Sequence, residues 1–394
     1  MSLLEPVSIA PERPRTAPIP PNALAEAPVR PPRLASLDVL RGLVMVLMAL
    51  DHTRDFFGSG GANPRDVADP ALFLTRWITH FCAPTFILLA GISASLHGSR
   101  SGSVGELSRF LLTRGIWLVL MEFTLIRVGW SFDPGGGFLV AQVIWAIGAS
   151  MIVLAGLVHL PRPTVAAVGL GLMAGHNLLD GIQADAFGPV AWVWTILHEA
   201  KVLRLGPEVS VLALYPLIPW IGVMAAGYAL GPLFEAEPSV RVRRLVRWGV
   251  LATAGFLVLR AANLYGDPEP WRESGGALAT ALSFLNCEKY PPSLLYLLMT
   301  LGPALLLLAG LENARGRAAG SLETFGRVPF FFYVAHIYLI HALAISAASA
   351  TGGRPDWGLP GVYVVAAIVV AVLHPLCRWY AALKRGPGWW WSYL

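Results

Sequence analysis

The sequence has little charge and very few cysteines. Only 13% of its 394 residues are charged, about half the share usual in soluble domains, whereas 55% are hydrophobic. This balance excludes an ordinary soluble enzyme and predicts an integral membrane protein with several spans. The cysteines Cys82, Cys287 and Cys377 lie far apart and form neither a CxxC motif nor a Cys/His cluster. We therefore expect no disulfide framework, no zinc site and no metal cofactor.

The N-terminal segment has no signal-peptide pattern. Residues 1–33 are rich in Pro and Ala and contain too little apolar surface to form a core, which predicts a disordered cytoplasmic tail. One transmembrane domain is expected to follow over residues 34–394. The pI near 9.3 is attributed to basic loops, because no nucleic-acid-binding pattern accompanies it. We expect the partners to be the lipid bilayer and small substrates, and no nucleic acid.

Long apolar segments predict an all-α, polytopic membrane protein with about ten transmembrane helices. The fifth segment is short and is either a full span or a tilted or re-entrant helix. The segments are 36–57, 71–96, 107–128, 138–160, 163–180, 209–233, 243–264, 291–311, 325–348 and 360–383. With ten spans, most arginine-rich loops fall on one side, so the positive-inside rule places both termini in the cytoplasm and the protein in the inner membrane. The two longest loops, 181–208 and 265–290, would then face outward.

The first apolar segment contains an unusual set of ionisable residues. Arg41 and His52 are eleven residues apart, roughly 1100° on a helix, so both side chains return to nearly the same face about 16 Å apart. Asp38 precedes the arginine, and Asp51 and Asp55 flank the histidine. Each ionisable group at membrane depth costs ~3 kcal/mol or more, so such groups are retained for pairing or function. We therefore expect this segment to take part in chemistry that is conducted across the bilayer.

Two further segments contain candidate residues. In the second, Arg76 and His80 lie one turn apart before Pro84, which is expected to kink the helix. A neutral His80 is either a proton acceptor or a structural residue bonded to a backbone carbonyl. In the ninth, Tyr333 and His336 share a face and His336 is the favoured functional histidine. The segment KYPPS, residues 289–293, is interpreted as ordinary capping of the eighth span.

Several of these motifs resemble known sequences. The stretch RLASLDVLRGLVMVLMALDHTRDFF resembles the opening of a superfamily of transmembrane acyltransferases, in which an arginine, ten residues and a histidine recur. APTFILLAGIS and GRVPFFFYVAHIYLIH resemble later motifs of that superfamily. YPLIPW and KYPPSLLYLLMTLGPALLLLA resemble the bacterial branch of the heparan-alpha-glucosaminide N-acetyltransferase catalytic-domain family. One departure is that this chain has no histidine in loop 58–74, where the lysosomal member has the histidine thought to be acetylated or to act as base.

The resemblance implies transfer of an acetyl group from cytoplasmic acetyl-CoA to a sugar or glycan hydroxyl or amine, at or beyond the outer face. It leaves a homodimer open. It also implies three groups of site residues. Those groups are catalytic His52, Asp51 and His80, CoA-binding Arg41, Asp38 and Arg76, and substrate-binding or supporting Asp55, Tyr333 and His336. His52 is favoured over His80 as base or acyl carrier, with Asp51 or Asp55 orienting its ring.

Two other functions remain open from the residues alone. Buried His, Arg and Asp residues also relay protons in transporters, although no internal repeat of the kind common in transporters is visible. In a membrane scaffold or assembly protein, the charged first helix would only pair with other helices.

Overall fold

The computed structural model describes residues 34–60 and 62–384, so the tail predicted over 1–33 lies outside the described residues. Most of this part is helical. The helices are α1 (Ala35–Phe57), α2 (Pro70–Thr79), α3 (Cys82–Gly98), α4 (Val104–Met121), α5 (Arg127–Ser131), α6 (Val143–Leu157), α7 (Arg162–Gly175), α8 (Ala191–His198), α9 (Leu217–Leu230), α10 (Pro238–Ala262), α11 (Ala277–Leu285), α12 (Leu294–Gly310), α13 (Arg317–Arg327), α14 (Pro329–Thr351) and α15 (Gly358–Leu383).

The membrane class is confirmed, but the number of spans is not. Within the described residues, six helical stretches are long and apolar enough to cross a membrane, or seven if a bent pair forms one span. The six are Pro70–Gly98, Leu217–Glu235, Pro238–Ala262, Leu294–Asn313, Pro329–Thr351 and Gly358–Leu383. All ten predicted segments contain helix, but α1 is rich in charge and α6 has only 15 residues. Ten spans and cytoplasmic termini therefore stay predictions.

A small sheet interrupts the otherwise helical fold and corrects two predicted boundaries. Strands β1 (Phe138–Val140), β2 (Val202–Arg204) and β3 (Ser210–Leu212) form it in the order β1-β3-β2, with β1 parallel and β2 antiparallel to β3. Segments 138–160 and 209–233 therefore begin as strands and become helical only at Val143 and Leu217. A Cβ at Gly137 would lie 1.8 Å from the Glu208 carbonyl oxygen, so glycine is needed where the strands approach.

The fifth predicted segment is a bent helix. α7 continues as a 3-10 turn to Leu179, and the chain then turns by 109° into the helical stretch Ala184–His198. This second part lies in the loop predicted over 181–208, and α11 lies in the loop predicted over 265–290. Both long loops therefore contain helices of their own.

Pairs of glycines let helices cross at very short distances. Added Cβ atoms at ten glycines in the described chain would lie 1.8–2.9 Å from backbone atoms of the neighbouring helix. The pairs are Gly42 with Gly326 (α1 and α13), Gly91 with Gly227 (α3 and α9), Gly115 with Gly148 (α4 and α6), Gly169 with Gly222 (α7 and α9), and Gly249 with Gly302 (α10 and α12). Small residues at crossings are how membrane helices maximise van der Waals contact.

The first helix occupies the centre of the packing. α1 contacts α2, α3, α12, α13, α14 and α15. Its side chains Val44, Met45, Met48 and Ala49 are all buried in the main hydrophobic core. The buried ionisable residues of α1, Asp38, Asp51 and His52, therefore lie among side chains of the surrounding helices.

The crossing of α1 and α13 provides a test of this packing. We expect Gly326→Ala to lower the free energy of unfolding by about 1–3 kcal/mol, because the new Cβ would lie 1.8 Å from the Asp38 carbonyl oxygen. Gly320→Ala on the same helix is the matched control, since no atom lies within 4 Å of its Cβ position. Thermal unfolding in detergent measures both variants, and equal stability of the two would contradict the close crossing.

Candidate active site

The carboxylate of Asp51 joins the first two helices. Arg76 Nη1 lies 3.1 Å from Oδ1 and 2.9 Å from Oδ2, and the Thr79 hydroxyl donates to Oδ1 at 2.8 Å. Arg54 Nη2 is 3.0 Å from the same Oδ1. Arg76 and Thr79 reach one carboxylate because residues three apart share a helix face. Asp51 is thus held by α2 and by its own helix. Arg76, one of the two arginines predicted to bind CoA, is therefore paired with Asp51.

The imidazole of His52 is oriented by a second histidine. His52 Nδ1 lies 2.7 Å from His336 Nε2, and the two buried rings are nearly parallel (13°) and lie edge to edge with centroids 4.9 Å apart. His336 Nδ1 lies 2.9 Å from the Phe332 carbonyl oxygen, one turn earlier on α14. The geometry brings together two residues that were predicted separately, His52 and His336. The contacts of Asp51 described above are with arginines and Thr79, whereas the His52 ring is held by His336.

This contact determines which nitrogen of His52 is basic. A carbonyl oxygen only accepts hydrogen bonds, so His336 Nδ1 must carry a proton. In the neutral ring His336 Nε2 is then an acceptor, and His52 Nδ1 must donate to it. The remaining nitrogen, His52 Nε2, is left with a lone pair. Through the lone pair of Nε2, His52 can act as a base or nucleophile.

Aromatic side chains enclose the His52 ring. Trp130 packs edge-on at a centroid distance of 4.8 Å, and Tyr333 lies at 6.1 Å. The Trp130 indole N–H and the Tyr333 hydroxyl interact electrostatically, but neither reaches hydrogen-bonding geometry with any residue that the structure describes. Both side chains that carry these buried polar groups therefore pack against the His52 ring. Donors placed in this way suit a carbonyl oxygen that becomes negative during a reaction.

His80 lies at a break between α2 and α3. Pro84 has no N–H, so the carbonyl of His80, four residues earlier, has no helical partner. The Tyr296 hydroxyl on α12 donates to that carbonyl at 2.8 Å. The kink predicted from Pro84 is therefore a short interruption at His80 and Phe81. The His80 ring nitrogen Nδ1 is buried without a hydrogen-bond partner in the described chain.

Arg41 lies in a separate cluster near the start of α1. Its Nη1 donates to Asp38 Oδ1 at 2.8 Å and to the Gly326 carbonyl at 3.1 Å. Its Nη2 donates to Ser93 Oγ at 3.1 Å. The guanidinium therefore connects α1 with α3 and α13. Any contact between Arg41 and a CoA phosphate has to be made beside these protein contacts.

Asp55 lies at the far end of α1 and is the most exposed of the predicted site residues. Its Oδ1 accepts from Arg54 Nη2 at 2.8 Å, and its side chain is 44% exposed. Its backbone oxygen accepts from Arg354 Nη2 at 2.7 Å. Asp55 and both arginines line a cavity of about 1040 Å³.

Sequence reasoning missed a buried lysine near this centre. Lys289 is only 7% exposed, and its Nζ lies 5.1 Å from the centroid of the Tyr290 ring. Its charge acts on Asp51, His52 and His80. The capping interpretation of KYPPS is correct for Ser293, whose Oγ accepts from the Tyr296 N–H at 3.0 Å. The missed signal was a lysine placed directly before an apolar helix.

Comparison with known proteins identifies the family. The model of the heparan-alpha-glucosaminide N-acetyltransferase catalytic domain matches residues 33–261, more than half of the chain. The match includes α1 and α2, which contain Arg41, His52 and Arg76, but ends before Lys289 and His336. A comparison with curated proteins gave no match. The chain therefore belongs to the heparan-alpha-glucosaminide N-acetyltransferase catalytic-domain family of membrane acyltransferases.

Proposed function

We propose that the protein moves an acetyl group from acetyl-CoA to a hydroxyl or amine of a sugar or glycan. The observation that carries this proposal is the contact of His52 with His336, which leaves a basic nitrogen inside a buried aromatic enclosure. Family membership supports acyl transfer as the reaction class. The proton-coupled transporter and the membrane scaffold would leave that family match without an explanation.

In the proposed reaction, His52 Nε2 removes the proton from the acceptor hydroxyl or amine. The acceptor atom then attacks the thioester carbonyl, the carbon–sulfur bond breaks, and the CoA thiolate takes the proton from the imidazolium. The Tyr333 hydroxyl and the Trp130 N–H are available to stabilise the negative oxygen of the intermediate. Alternatively, Nε2 attacks the thioester carbonyl, the carbon–sulfur bond breaks and CoA leaves as the thiolate, which forms an acetyl-histidine. The acceptor then attacks this acetyl group, the bond to Nε2 breaks, and the acceptor's proton passes to the thiolate.

His336 acts as a positioning residue in this scheme, because it fixes the tautomer and the ring plane of His52. Asp51 and Arg76 hold α1 against α2 beside the reacting nitrogen, and Asp55 lies toward the acceptor. His80 is the rival base, and its ring lies under the same charges as that of His52. These roles are assigned from contacts with the His52 ring and with its neighbours on α1.

We further propose that the acetyl group crosses the membrane during the reaction. The Arg41 cluster would lie toward the cytoplasm and bind a phosphate of acetyl-CoA, with Asp38 holding the guanidinium and Arg76 supporting the site from α2. His52 would lie toward the outer face of the inner membrane, with ten spans and both termini cytoplasmic. The separation of the two clusters along α1 supports this arrangement. The homodimer gains no support and is not included.

The proposed topology can be tested with reporter fusions. We expect fusions at Gly60, Gly266 and Gly353 to report the outer side of the membrane. Fusions at Ser101 and Ala236 should report the cytoplasm, because the arginine-rich loops fall on their side. Two reporters on the opposite side from that expected would overturn the ten-span arrangement.

The role of Arg41 is tested by acetyl-CoA binding. We expect Arg41→Ala to weaken binding by roughly 10- to 150-fold, the effect of losing a charge-assisted contact worth about 1.5–3 kcal/mol. Arg41→Lys should restore binding only in part, since an ammonium cannot form a bidentate contact. Calorimetry with acetyl-CoA gives the affinity of each variant.

A stability control separates binding from structure, because Arg41 also connects three helices. Ser93→Ala removes one protein contact of the guanidinium and keeps its charge, so it should reduce thermal stability without a comparable loss of affinity. Wild-type affinity in Arg41→Ala, or equal losses in Arg41→Ala and Ser93→Ala, would remove Arg41 from the CoA site.

The catalytic histidine is tested by turnover. We expect His52→Ala to bind acetyl-CoA nearly as well as the unchanged protein, yet to release CoA thiol at least ~100-fold more slowly, as is usual for a lost acid–base group. His336→Ala should also slow release, because the tautomer of His52 is no longer fixed. His341→Ala is the control on the same helix: its Nδ1 contacts the Gly129 carbonyl at 2.9 Å. Activity that survives His52→Ala and disappears in His80→Ala would move the chemistry to the second helix.

A further inference from the structure

A large cavity lies at the C-terminal end of α1, the helix that contains His52, and opens between two apolar helices. Its volume is about 1040 Å³, and it is bounded by the C-terminal end of α1, by one side of α2 and by the start of α15. Leu74 and Ile78 line it from α2, and Leu359 and Tyr363 line it from α15. Residues four apart share a helix face, so each helix presents one apolar strip to the cavity.

These apolar strips are open to the surroundings of the protein. Leu74, Ile78 and Tyr363 are 44%, 42% and 48% exposed. The Tyr363 hydroxyl lies 2.7 Å from Thr75 Oγ1 and connects the two helices. Because α2 and α15 belong to apolar stretches long enough to span a membrane, a gap between them gives hydrocarbon chains of the bilayer lateral access. A cavity that bound only water-soluble sugars would not need exposed apolar strips on α2 and α15.

The end of the cavity near α1 is polar and contains two arginines. The Arg54 side chain is 9% exposed, its Nη2 serves both Asp51 and Asp55, and its Nη1 is buried with no hydrogen-bond partner among the described residues. Arg354 donates to the Asp55 backbone oxygen and also lines the cavity.

Two carboxylates also line this end, but both are engaged. Asp55 is paired with Arg54, and Asp69 caps α2 by accepting from the Leu72 N–H at 3.0 Å. Arg354 donates to a backbone oxygen and not to a carboxylate, and the buried Nη1 of Arg54 has no partner among the described residues, so the two guanidiniums together favour an anionic oxygen at this end.

We propose that this cavity binds an amphiphile with a phosphate-bearing head at Arg54 and Arg354 and a hydrocarbon tail along Leu74, Ile78 and Tyr363. This inference rests on the proposed acetyl transfer and specifies its acceptor class: a glycan linked through phosphate to a membrane lipid. Arg54 connects the head site to Asp51, the residue next to His52. The lipid tail holds the acceptor in the bilayer while its sugar reaches the basic nitrogen.

Lipid binding by the full chain tests the cavity without any acetyl transfer. Native mass spectrometry of the protein in detergent measures retention of phosphatidylglycerol and of phosphatidylcholine with the same acyl chains. We expect phosphatidylglycerol to be retained at least ~10-fold better, the scale of one charge-assisted contact. Inorganic phosphate should not displace it. Equal retention of both lipids, or displacement by phosphate alone, would overturn the proposal.

Matched variants locate the binding within the cavity. Ile78→Trp should fill the apolar strip and Arg354→Gln should remove a head contact, each reducing retention of phosphatidylglycerol about 10-fold, whereas Arg354→Lys should restore it in part. Val364→Trp, next to Tyr363 but outside the cavity and 60% exposed, and exposed Arg204→Gln should have no effect. Unchanged retention in both Ile78→Trp and Arg354→Gln would place the lipid elsewhere and refute the cavity.

Thiol release from acetyl-CoA, measured in parallel with a soluble sugar, separates this inference from the proposed function. Release without selective lipid binding would reject the lipid-linked acceptor and leave acetyl transfer standing. Selective lipid binding without release, with either soluble or lipid-linked sugar, would reject the acetyl transfer and with it the acceptor class assigned here.

Discussion

The structure depends on the pairing of one buried carboxylate. An isolated charge at the depth of Asp51 would cost several kcal/mol, and the partners that remove this cost, Arg76 and Thr79, lie on α2. Their contacts fix the rotation of α1 about its axis. Since successive residues on a helix point about 100° apart, directing Asp51 toward α2 directs His52 toward α14. The position of the proposed base is thus a consequence of an ion pair that is not bonded to the His52 ring.

The same periodicity explains what could be predicted within single helices. Spacing alone identified Arg41 with His52 on α1, Arg76 with His80 on α2, and His336 on α14. It did not reveal that His52 and His336, 284 residues apart, meet at 2.7 Å, because one sequence contains no information about which helices pack together. Asp51 or Asp55 was expected to orient the His52 ring, because both flank it in the sequence. Adjacent residues on a helix diverge too much for that contact, and a distant histidine makes it instead.

Features that depend on close backbone approach were also beyond the sequence. Glycine is abundant throughout the chain, so the sequence does not show that α1 and α13 cross at Gly42 and Gly326. Residues 138–140 and 210–212 were predicted as parts of apolar helices, because a short apolar run has no period that distinguishes a strand from a helix. Lys289 was overlooked for a related reason: its position before a helix indicates a cap, whereas its influence on His52 arises only from the fold.

The two polar clusters of α1 constrain how an acyl donor could connect them. Between Arg41 and His52 the helix presents Val44, Met45 and Met48, all buried in the core. A donor bound at Arg41 must therefore separate α1 from a neighbour to bring its thioester to His52. At the junction of α2 and α3 the His80 N–H still donates to the Trp77 carbonyl, and the Tyr296 hydroxyl on α12 replaces the partner that Pro84 removes from the His80 carbonyl. This junction is therefore held in place, and a movement of α1 against α2 and α3 has to overcome these contacts.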